Sequence, residues 1–519
     1  MHLVLNNKAN NEKKIKMYIK DLAENLGKTI TLKGWVANKR TGKNIVFINL
    51  RDGSGVCQCV VSGDQTSEEI IAMADSLTLE SAVEITGKIL ADERQIGGFE
   101  MQVESLKIFH IAEDYPIAKK AHGIEFLMDK RHLWLRSQRQ WAIMKIRNVL
   151  IFSIHKFFQE KDFVQMDAPI FTGNACEGTT NLFETEFYDK PAYLSQSGQL
   201  YGEAMAMAMG KIYTFGPTFR AEKSKTRRHL SEFWMIEPEM AFYNLDMNMD
   251  LIEEFLKYVV NEVILISKAE LEILGRDVSK LEQVNQAFPR LTYDEAVEII
   301  QGKQDVNGKN SILTLEQDLA EVNMQINSIG AEIAEREIKL TSPGMKKGEI
   351  NFNQNKINDL RASLKDLEET QKNIPQWLNS ARNFNYGEDF GGSDETVLTR
   401  MFDCPIMVYN WPHEVKAFYL KRADDTRFAK GVDVLAPEGY GEIVGGGERE
   451  TDKDLLIEKI NEHELPMSEF EWYLDLRRYG SVPHAGFGLG LERLVAWTCK
   501  LPHVRETIPF PRMYGRLMP

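Results

Sequence analysis

From Ile312 to Ile333 the apolar residues fall three and four apart: Ile312, Leu315, Leu319, Val322, Ile326, Ile329 and Ile333. That is the a/d seam of a heptad repeat, which keeps one face of a helix against a partner. Ser342-Pro343-Gly344 breaks the pattern, and a second seam runs through Ile357, Leu360, Leu364, Leu367 and Ile374. Two seams around a Pro-Gly turn predict an antiparallel helical hairpin inserted over 301–383. Each arm of ~30 residues spans ~45 Å at 1.5 Å per residue. The 11 Lys/Arg of this block nearly cancel its 12 Asp/Glu. It suits a structural arm first; the sharper alternative is an arm that touches a partner protein, a second subunit or a nucleic acid. The rest of the 519 residues suffices for two domains.

Residues 29–112 read as short strands: Thr29–Val36, Asn44–Arg51, Gly55–Val61, Ala82–Leu90 and Phe99–Ile111, with a helix at Ser67–Leu77. Five strands with a helix after the third is the order of an OB-fold barrel, which commonly binds single-stranded nucleic acid. The formal net charge of −14 argues against a uniformly basic nucleic-acid binder. Its distribution reverses that argument. Residues 1–51 hold 11 Lys/Arg and 3 Asp/Glu, whereas 52–113 hold 3 and 12. One half of the barrel can face phosphates. On adjacent strands, Phe47 could stack a base and Gln58 read its edge; a core Phe and a solvated Gln fit the same pattern.

Five cysteines, an odd number, argue against a disulfide scaffold in a chain this long. Cys57-Gln-Cys59 fits an alternating strand better than a zinc site. The N-terminus has no signal-peptide apolar core, and no apolar run reaches the ~20 residues of a membrane span. A cytoplasmic protein without membrane contact is expected.

Three stretches carry chemistry. Lys211 to Glu237 reads as strand, loop and strand, with Arg220, Lys223, Lys225, Arg227, Arg228 and His229 around the loop and Phe233 just after it. Guanidinium forks at a strand end suit a polyphosphate, and a nearby ring suits a purine. Gly486-Phe-Gly488-Leu-Gly490-Leu491-Glu492-Arg493 puts small residues and an Arg where a strand turns into a helix. It is neither a dinucleotide fingerprint nor a P-loop. Asp433 and Glu442 are carboxylates beside these elements, and oxygen donors next to phosphates can hold Mg²⁺. Each residue alone also suits a salt bridge, a core aromatic or a solvated carboxylate.

At these stretches the sequence resembles the class II aminoacyl-tRNA synthetases, and within them the asparaginyl branch of the aspartyl, asparaginyl and lysyl subgroup. Phe163-Val-Gln-Met-Asp-Ala-Pro169 matches the family's first motif. Phe219-Arg220-Ala-Glu222 through Arg228-His229-Leu matches the second, and Gly488–Arg493 the third. Glu177-Gly-Thr-Thr-Asn-Leu-Phe183, Leu194–Tyr201 and Arg505–Arg512 add to the likeness.

The resemblance implies an α+β fold. An OB-fold anticodon-binding domain at 29–113 follows an N-terminal extension (1–28), then a hinge (114–136) and a class II catalytic domain (137–519). That domain is an antiparallel sheet flanked by helices and interrupted by the hairpin at 301–383. The implied activity is asparagine–tRNA ligation: ATP and L-asparagine give an adenylate and pyrophosphate, then the amino acid passes to the 3′ end of tRNA(Asn). Mg²⁺ is the implied cofactor, and a homodimer built by the first motif the implied assembly.

The same resemblance assigns roles. Arg220 bridges the α-phosphate and the amino-acid carboxylate, and Arg493 covers ATP from the other face; these two carry catalysis. Glu222, Arg228, His229, Leu230, Phe233, Glu442, Gly490, Leu491 and Glu492 lie toward ATP. Glu177, Gln199, Glu203, Gly445 and Arg449 lie toward the amino acid. Asp433 and Glu442 hold the metal, and Phe47 and Gln58 meet the anticodon. Aspartyl enzymes carry a Lys where this chain has Gly202, before Glu203; a carboxylate there can accept an amide N–H but repels a second carboxylate. They also carry a Ser at Gly445, which puts the second metal ligand in question. Two alternatives stay open: an aspartate-accepting or non-discriminating synthetase, and a catalytically silent nucleic-acid-binding paralogue.

Overall fold

The structure is a computed structural model that describes residues 17–117, 122–173, 176 and 182–519. The chain forms two compact units, divided between Trp134 and Leu135.

In the first unit, strands β1 (Thr29–Thr41), β2 (Ile45–Arg51), β3 (Val56–Ser62), β4 (Ala82–Ala91) and β5 (Phe99–His110) close a barrel in the order β1-β2-β3-β5-β4. The alternation expected of half-buried strands is present. Val46, Ile48 and Leu50 of β2 and Cys57, Cys59 and Val61 of β3 point into the core, while Phe47 and Gln58 lie on the other face. Closure needs backbones to approach: a Cβ on Gly34 would lie within 3.0 Å of the carbonyl carbon of Arg51. The helix Glu68–Ser76, capped by the Ser67 side chain, sits between β3 and β4 in the chain. One expectation changes. From Ile19 on, the segment read as an extension belongs to the barrel, because Ile19 and Leu22 are buried in its core. The stretch read as a hinge carries two short helices, Ile124–Asp129 and Arg131–Trp134.

The second unit adds β6 (Val164–Met166), β7 (Phe171–Thr172), β8 (Glu184–Phe187), β9 (Lys190–Leu194), β10 (Lys211–Phe219), β11 (Glu232–Ala241), β12 (Arg290–Thr292), β13 (Ile406–Pro412), β14 (Phe428–Ala436), β15 (Gly441–Glu448) and β16 (His484–Gly490). Eight of these form one sheet in the order β12-β13-β14-β15-β16-β11-β10-β6. The six central strands are antiparallel as expected, and the two edge pairs, β12–β13 and β6–β10, are parallel. Ile143, Ile146, Leu150 and Ile154 of the helix Gln138–Glu160 recur at helical spacing. They share a core with Phe255 and Val259 of the helix Leu245–Ile266 and with Ile236, Val434 and Leu489 of the sheet. Each such side chain contributes roughly 1.5–3 kcal/mol relative to exposure.

The heptad block forms two helices, Ser311–Leu340 and Lys347–Asn383, joined at 341–346. Asn310 caps the first, accepting from the N–H groups of Ile312 and Leu313. The seam residues split into two clusters. Leu315, Val322, Ile374 and Leu378 belong to a core shared with Phe390, Val397 and Trp411 of the main body. Ile333, Ile357 and Leu360 form a separate cluster farther out.

Candidate active site

Two adjoining cavities open on the central strands. The first, of about 320 Å³, is bordered by Gln199, Glu239, Lys416, Asp433, Gly445 and Arg449, among others. The second, of about 100 Å³, is bordered by Glu222, Arg228, His229, Leu230, Phe233 and Arg493, among others. Arg220 and Glu442 border both. The sheet order explains the meeting. Register pairs bring Phe233 of β11 across from Thr218 of β10, and Gly445 of β15 across from Asp433 of β14 and Gly488 of β16. Residues more than 200 positions apart thus share one wall.

The second cavity gathers cations. The Arg220 guanidinium lies 5.6 Å from the Phe233 ring centroid, and its Nε is buried without a hydrogen-bond partner. Arg493 donates through Nη1 to the Glu442 side chain and to its carbonyl, both at 2.9 Å. Arg228 pairs with Glu395 and donates to the Gly439 carbonyl at 2.8 Å. His229 lies 3.4 Å from Glu222. Burial, and then Arg493, push the His229 pKa below its ordinary value, so its ring is neutral near pH 7. A bare phosphate-sized anion would find several guanidinium donors here.

The first cavity is rich in carboxylates, and nearly all are answered. Arg449 grips Glu239 with Nε at 3.2 Å and Nη2 at 2.5 Å. Burial pushes the Glu239 pKa up to about 7 against the pull of Arg449. Glu237 accepts from the Gly198 N–H at 2.8 Å and the Thr214 hydroxyl at 3.0 Å. Lys416 Nζ holds Asp433 at 2.6 Å. Asp433 and Glu442 face Gly445, where a Cβ would lie 3.6 Å from Asp433 Oδ1 and 3.0 Å from Glu442 Oε1. Among the described residues no group of three or more His, Cys, Asp or Glu side chains is placed to hold a metal. Two facing carboxylates with the space of a missing side chain between them do fit Mg²⁺, which takes few protein ligands and fills its shell with phosphate oxygens and water. Burial raises Asp433 to about 7. For Glu442 the cations Arg493 and Lys416 outweigh burial and lower its pKa.

Most of the expected residues therefore border one of the two cavities. Three positions differ. Glu203 is fully buried behind the first cavity: its carboxylate accepts from Tyr473 (2.8 Å), Arg477 (2.8 Å), His484 (3.0 Å) and Gln199 (3.2 Å). With its oxygens so occupied it does not offer the direct amide contact expected of it. Burial works to raise its pKa, and Arg477 and His484 overcome that and hold it well below the carboxylate range. Leu491 is a core residue rather than a cavity wall. Glu492 borders the second cavity, yet its carboxylate pairs with Arg147 at 2.8 Å and accepts from the Trp234 N–H at 3.0 Å. Glu177 lies outside the described residues. Sequence reasoning missed Glu239, Lys416 and Glu395. Glu239 lies two residues beyond the end of the first stretch and alternates with Glu237 on β11, a signal that was available; the other two sit in segments without a motif.

On the barrel, Phe47 is half-buried on the outer face with the Arg40 guanidinium 5.5 Å from its ring. Gln58 is covered by Arg40 and Glu100, each at 3.3 Å. Trp35 is 42% exposed on β1, with Arg51 5.2 Å from its ring. Aromatic and guanidinium groups thus alternate over this surface, as single-stranded nucleic-acid platforms require.

The comparisons agree with this geometry. The family described as "tRNA synthetases class II (D, K and N)" matches residues 123–514, and an OB-fold nucleic acid binding domain matches 30–109. The asparagine–tRNA ligase of Sorangium cellulosum (strain So ce56) is 46% identical over 501 residues, covering 96% of this chain and 98% of its own length. A crystal structure of asparaginyl-tRNA synthetase from Pyrococcus horikoshii complexed with asparaginyl-adenylate superposes with a TM-score of 0.79 at 36% identity, covering 97% of this chain and 99% of that one. The Entamoeba histolytica asparaginyl-tRNA synthetase in complex with asparaginyl-adenylate gives a TM-score of 0.75 at 26% identity, over 97% and 100% of the two chains. With a closed five-stranded barrel, a central antiparallel sheet and this double cavity, the chain belongs to the class II tRNA synthetases of the D, K and N group.

Proposed function

We propose that the chain is an asparagine–tRNA ligase that activates L-asparagine with ATP and transfers it to the 3′ end of tRNA(Asn). The observation that carries the reading is Arg220, which borders both cavities. A group at that position touches the α-phosphate and the amino-acid carboxylate at once. The carboxylate is already ionised near neutral pH, so attack on the α-phosphate needs no general base. What the site supplies is alignment and preset positive charge where the transition state becomes more negative.

Roles follow from position. Phe233 stacks adenine, with Leu230 and Gly490 as its apolar surroundings. Arg228, His229 and Arg493 face the phosphates, with Glu222 tethering His229. Asp433 and Glu442 hold Mg²⁺, which when bound offsets phosphate charge. In the first cavity, Gln199 and Gly445 frame the amino acid. Arg449 donates to the side-chain carbonyl of asparagine, and Glu239 accepts from its NH₂. Aspartate offers that carboxylate only a repelling oxygen. In the second step the terminal ribose hydroxyl of tRNA attacks the activated carbonyl and AMP leaves.

Phe47 and Gln58 read the anticodon from the outer face of the barrel. Phe47→Ala should weaken tRNA binding about tenfold, at the low end of the ~1–3 kcal/mol a base–aromatic stack supplies, and leave pyrophosphate exchange unchanged. The chain dimerises through its first motif. Phe152, 68% exposed on the helix Gln138–Glu160, and Val164, 41% exposed on β6, support that surface. All five cysteines are free thiols, which favours a reducing cytoplasm; no helix among the described residues is long and apolar enough to cross a membrane. Pyrophosphate exchange with asparagine and aspartate side by side tests the central claim: exchange with asparagine alone is expected, and exchange with aspartate alone overturns it.

A further inference from the structure

The helix Gly392–Thr399 stands between the arm and the phosphate cavity, and its side chains engage both. Toward the arm, Asp394 accepts a hydrogen bond from the Ser380 hydroxyl at 2.6 Å. One residue past the helix, Arg400 pairs with Asp318 and lies 5.5 Å from the Trp377 ring. Val397 and Leu398 share a core with Leu315, Ile374 and Leu378 of the arm. Toward the cavity, Glu395 pairs with Arg228, and the Thr396 hydroxyl accepts from Arg228 Nη2 at 3.3 Å. Glu395 Oε2 also accepts the backbone N–H of Glu442 at 3.1 Å. One carboxylate therefore fixes a phosphate-facing guanidinium and the start of the strand that carries a metal-binding candidate. Its 14% side-chain exposure, against 16% for Arg228, means the pair is largely desolvated. A break there leaves a charge without compensation.

We propose that Glu395 is a positioning residue for the triphosphate site, and that the proximal half of the inserted arm braces the helix that carries it. This rests on the reading of Arg228 as a phosphate-binding residue. The distal half has its own cluster of Ile333, Ile357 and Leu360 and takes no part in the brace. The insertion is thus functionally divided: its base belongs to the catalytic apparatus and its outer half does not.

The test is pyrophosphate exchange in the full-length protein, with KM measured separately for ATP and asparagine. Glu395→Gln should raise the KM for ATP at least about tenfold, equivalent to ~1.4 kcal/mol, and leave the KM for asparagine within about twofold. Ser380→Ala removes one hydrogen bond, and Thr396→Val removes the one from Arg228 together with one to the Gly392 carbonyl; each should raise the KM for ATP about threefold. Both keep the variant folded if Glu395→Gln does not. Excision of 329–364 with a short Gly-Ser closure should change neither constant. Arg228→Ala separates the two levels of the argument. An unchanged KM for ATP in that variant rejects the phosphate reading itself. A raised KM there, with unchanged values in Glu395→Gln, Ser380→Ala and Thr396→Val, rejects the brace. A distal excision as damaging as Ser380→Ala rejects the division of the arm.

Discussion

The two cavities share Arg220 and Glu442 but treat charge in opposite ways. In the first, Glu239 has Arg449, Asp433 has Lys416, and Glu203 behind the wall has Arg477 and His484. Each of these carboxylates has its partner before any ligand arrives. In the second, Arg228 has Glu395 and Arg493 has Glu442, while Arg220 keeps its Nε buried without a hydrogen-bond partner. The difference separates two tasks. A cavity whose carboxylates are already partnered discriminates by hydrogen-bond pattern and shape, because a substrate of the wrong polarity leaves buried groups unpaired. A cavity that keeps a guanidinium nitrogen without a partner awaits an anion and strengthens its hold as the reacting phosphate gathers charge.

The comparison breaks most sharply at the shared residue. Arg220→Ala should lower adenylate formation by on the order of 10²–10³-fold, measured as pyrophosphate exchange. Loss confined to the KM of one substrate would show that it serves one cavity only. Next is Arg449→Ala, which strands Glu239 in the core. Removing one partner of a buried pair costs about 3–5 kcal/mol, so chemical denaturation should show a loss of that size; the pair of Arg493 with Glu442 in the other cavity is more exposed, and Arg493→Ala should destabilise less. Third is pH. The folded pKa of Glu239 is about 7, above its ordinary 4.5. The protonated form is therefore favoured by folding, and the stability it contributes falls as pH rises from about 4.5 to 7. Binding runs the other way, because only the carboxylate accepts the amide without competition from its own proton. The KM for asparagine should fall as pH climbs through about 7, and Glu239→Gln should flatten the profile. The charges of Arg449, Glu203 and His484 act on the same group, so the flattening in that single variant is what assigns the titration. The smallest effect expected is from salt. Raising ionic strength from 0.1 to 0.5 M should increase the KM for ATP about two- to threefold and barely move that for asparagine, since paired buried charges are screened less.

What could be read from the chain followed locality. The second motif and the ring just after it compress Arg220, Arg228, His229 and Phe233 into fourteen residues, so their chemistry was visible without the fold. The heptad seam was equally plain, because a period of three and four admits one geometry. Barrel strands showed through alternation, with Phe47 and Gln58 on the face opposite Ile48 and Cys59. The partners of Glu203 were not legible. Tyr473, Arg477 and His484 are 270 or more positions away, and a lone carboxylate at a helix start reads the same whether it faces a ligand or the core. Lys416 and Glu395 stand in unmarked segments and acquire meaning only through sheet order. The parallel edges of the sheet were missed for a similar reason: three-residue strands leave no period to detect.

Behind the first cavity, charge alternates inward from Glu239 to Arg449 to Glu203 to Arg477 and His484. Those five residues come from β11, the position just after β15, β16 and the helices Gln199–Met209 and Glu471–Arg478. A lineage drifting toward a different amino acid cannot change one rung and keep the rest. Any single replacement is penalised until a compensating one appears elsewhere in the chain. Substrate preference in this protein should therefore change by coordinated sets of substitutions, with intermediates that fold poorly, and be historically conservative for reasons of electrostatics rather than of catalysis.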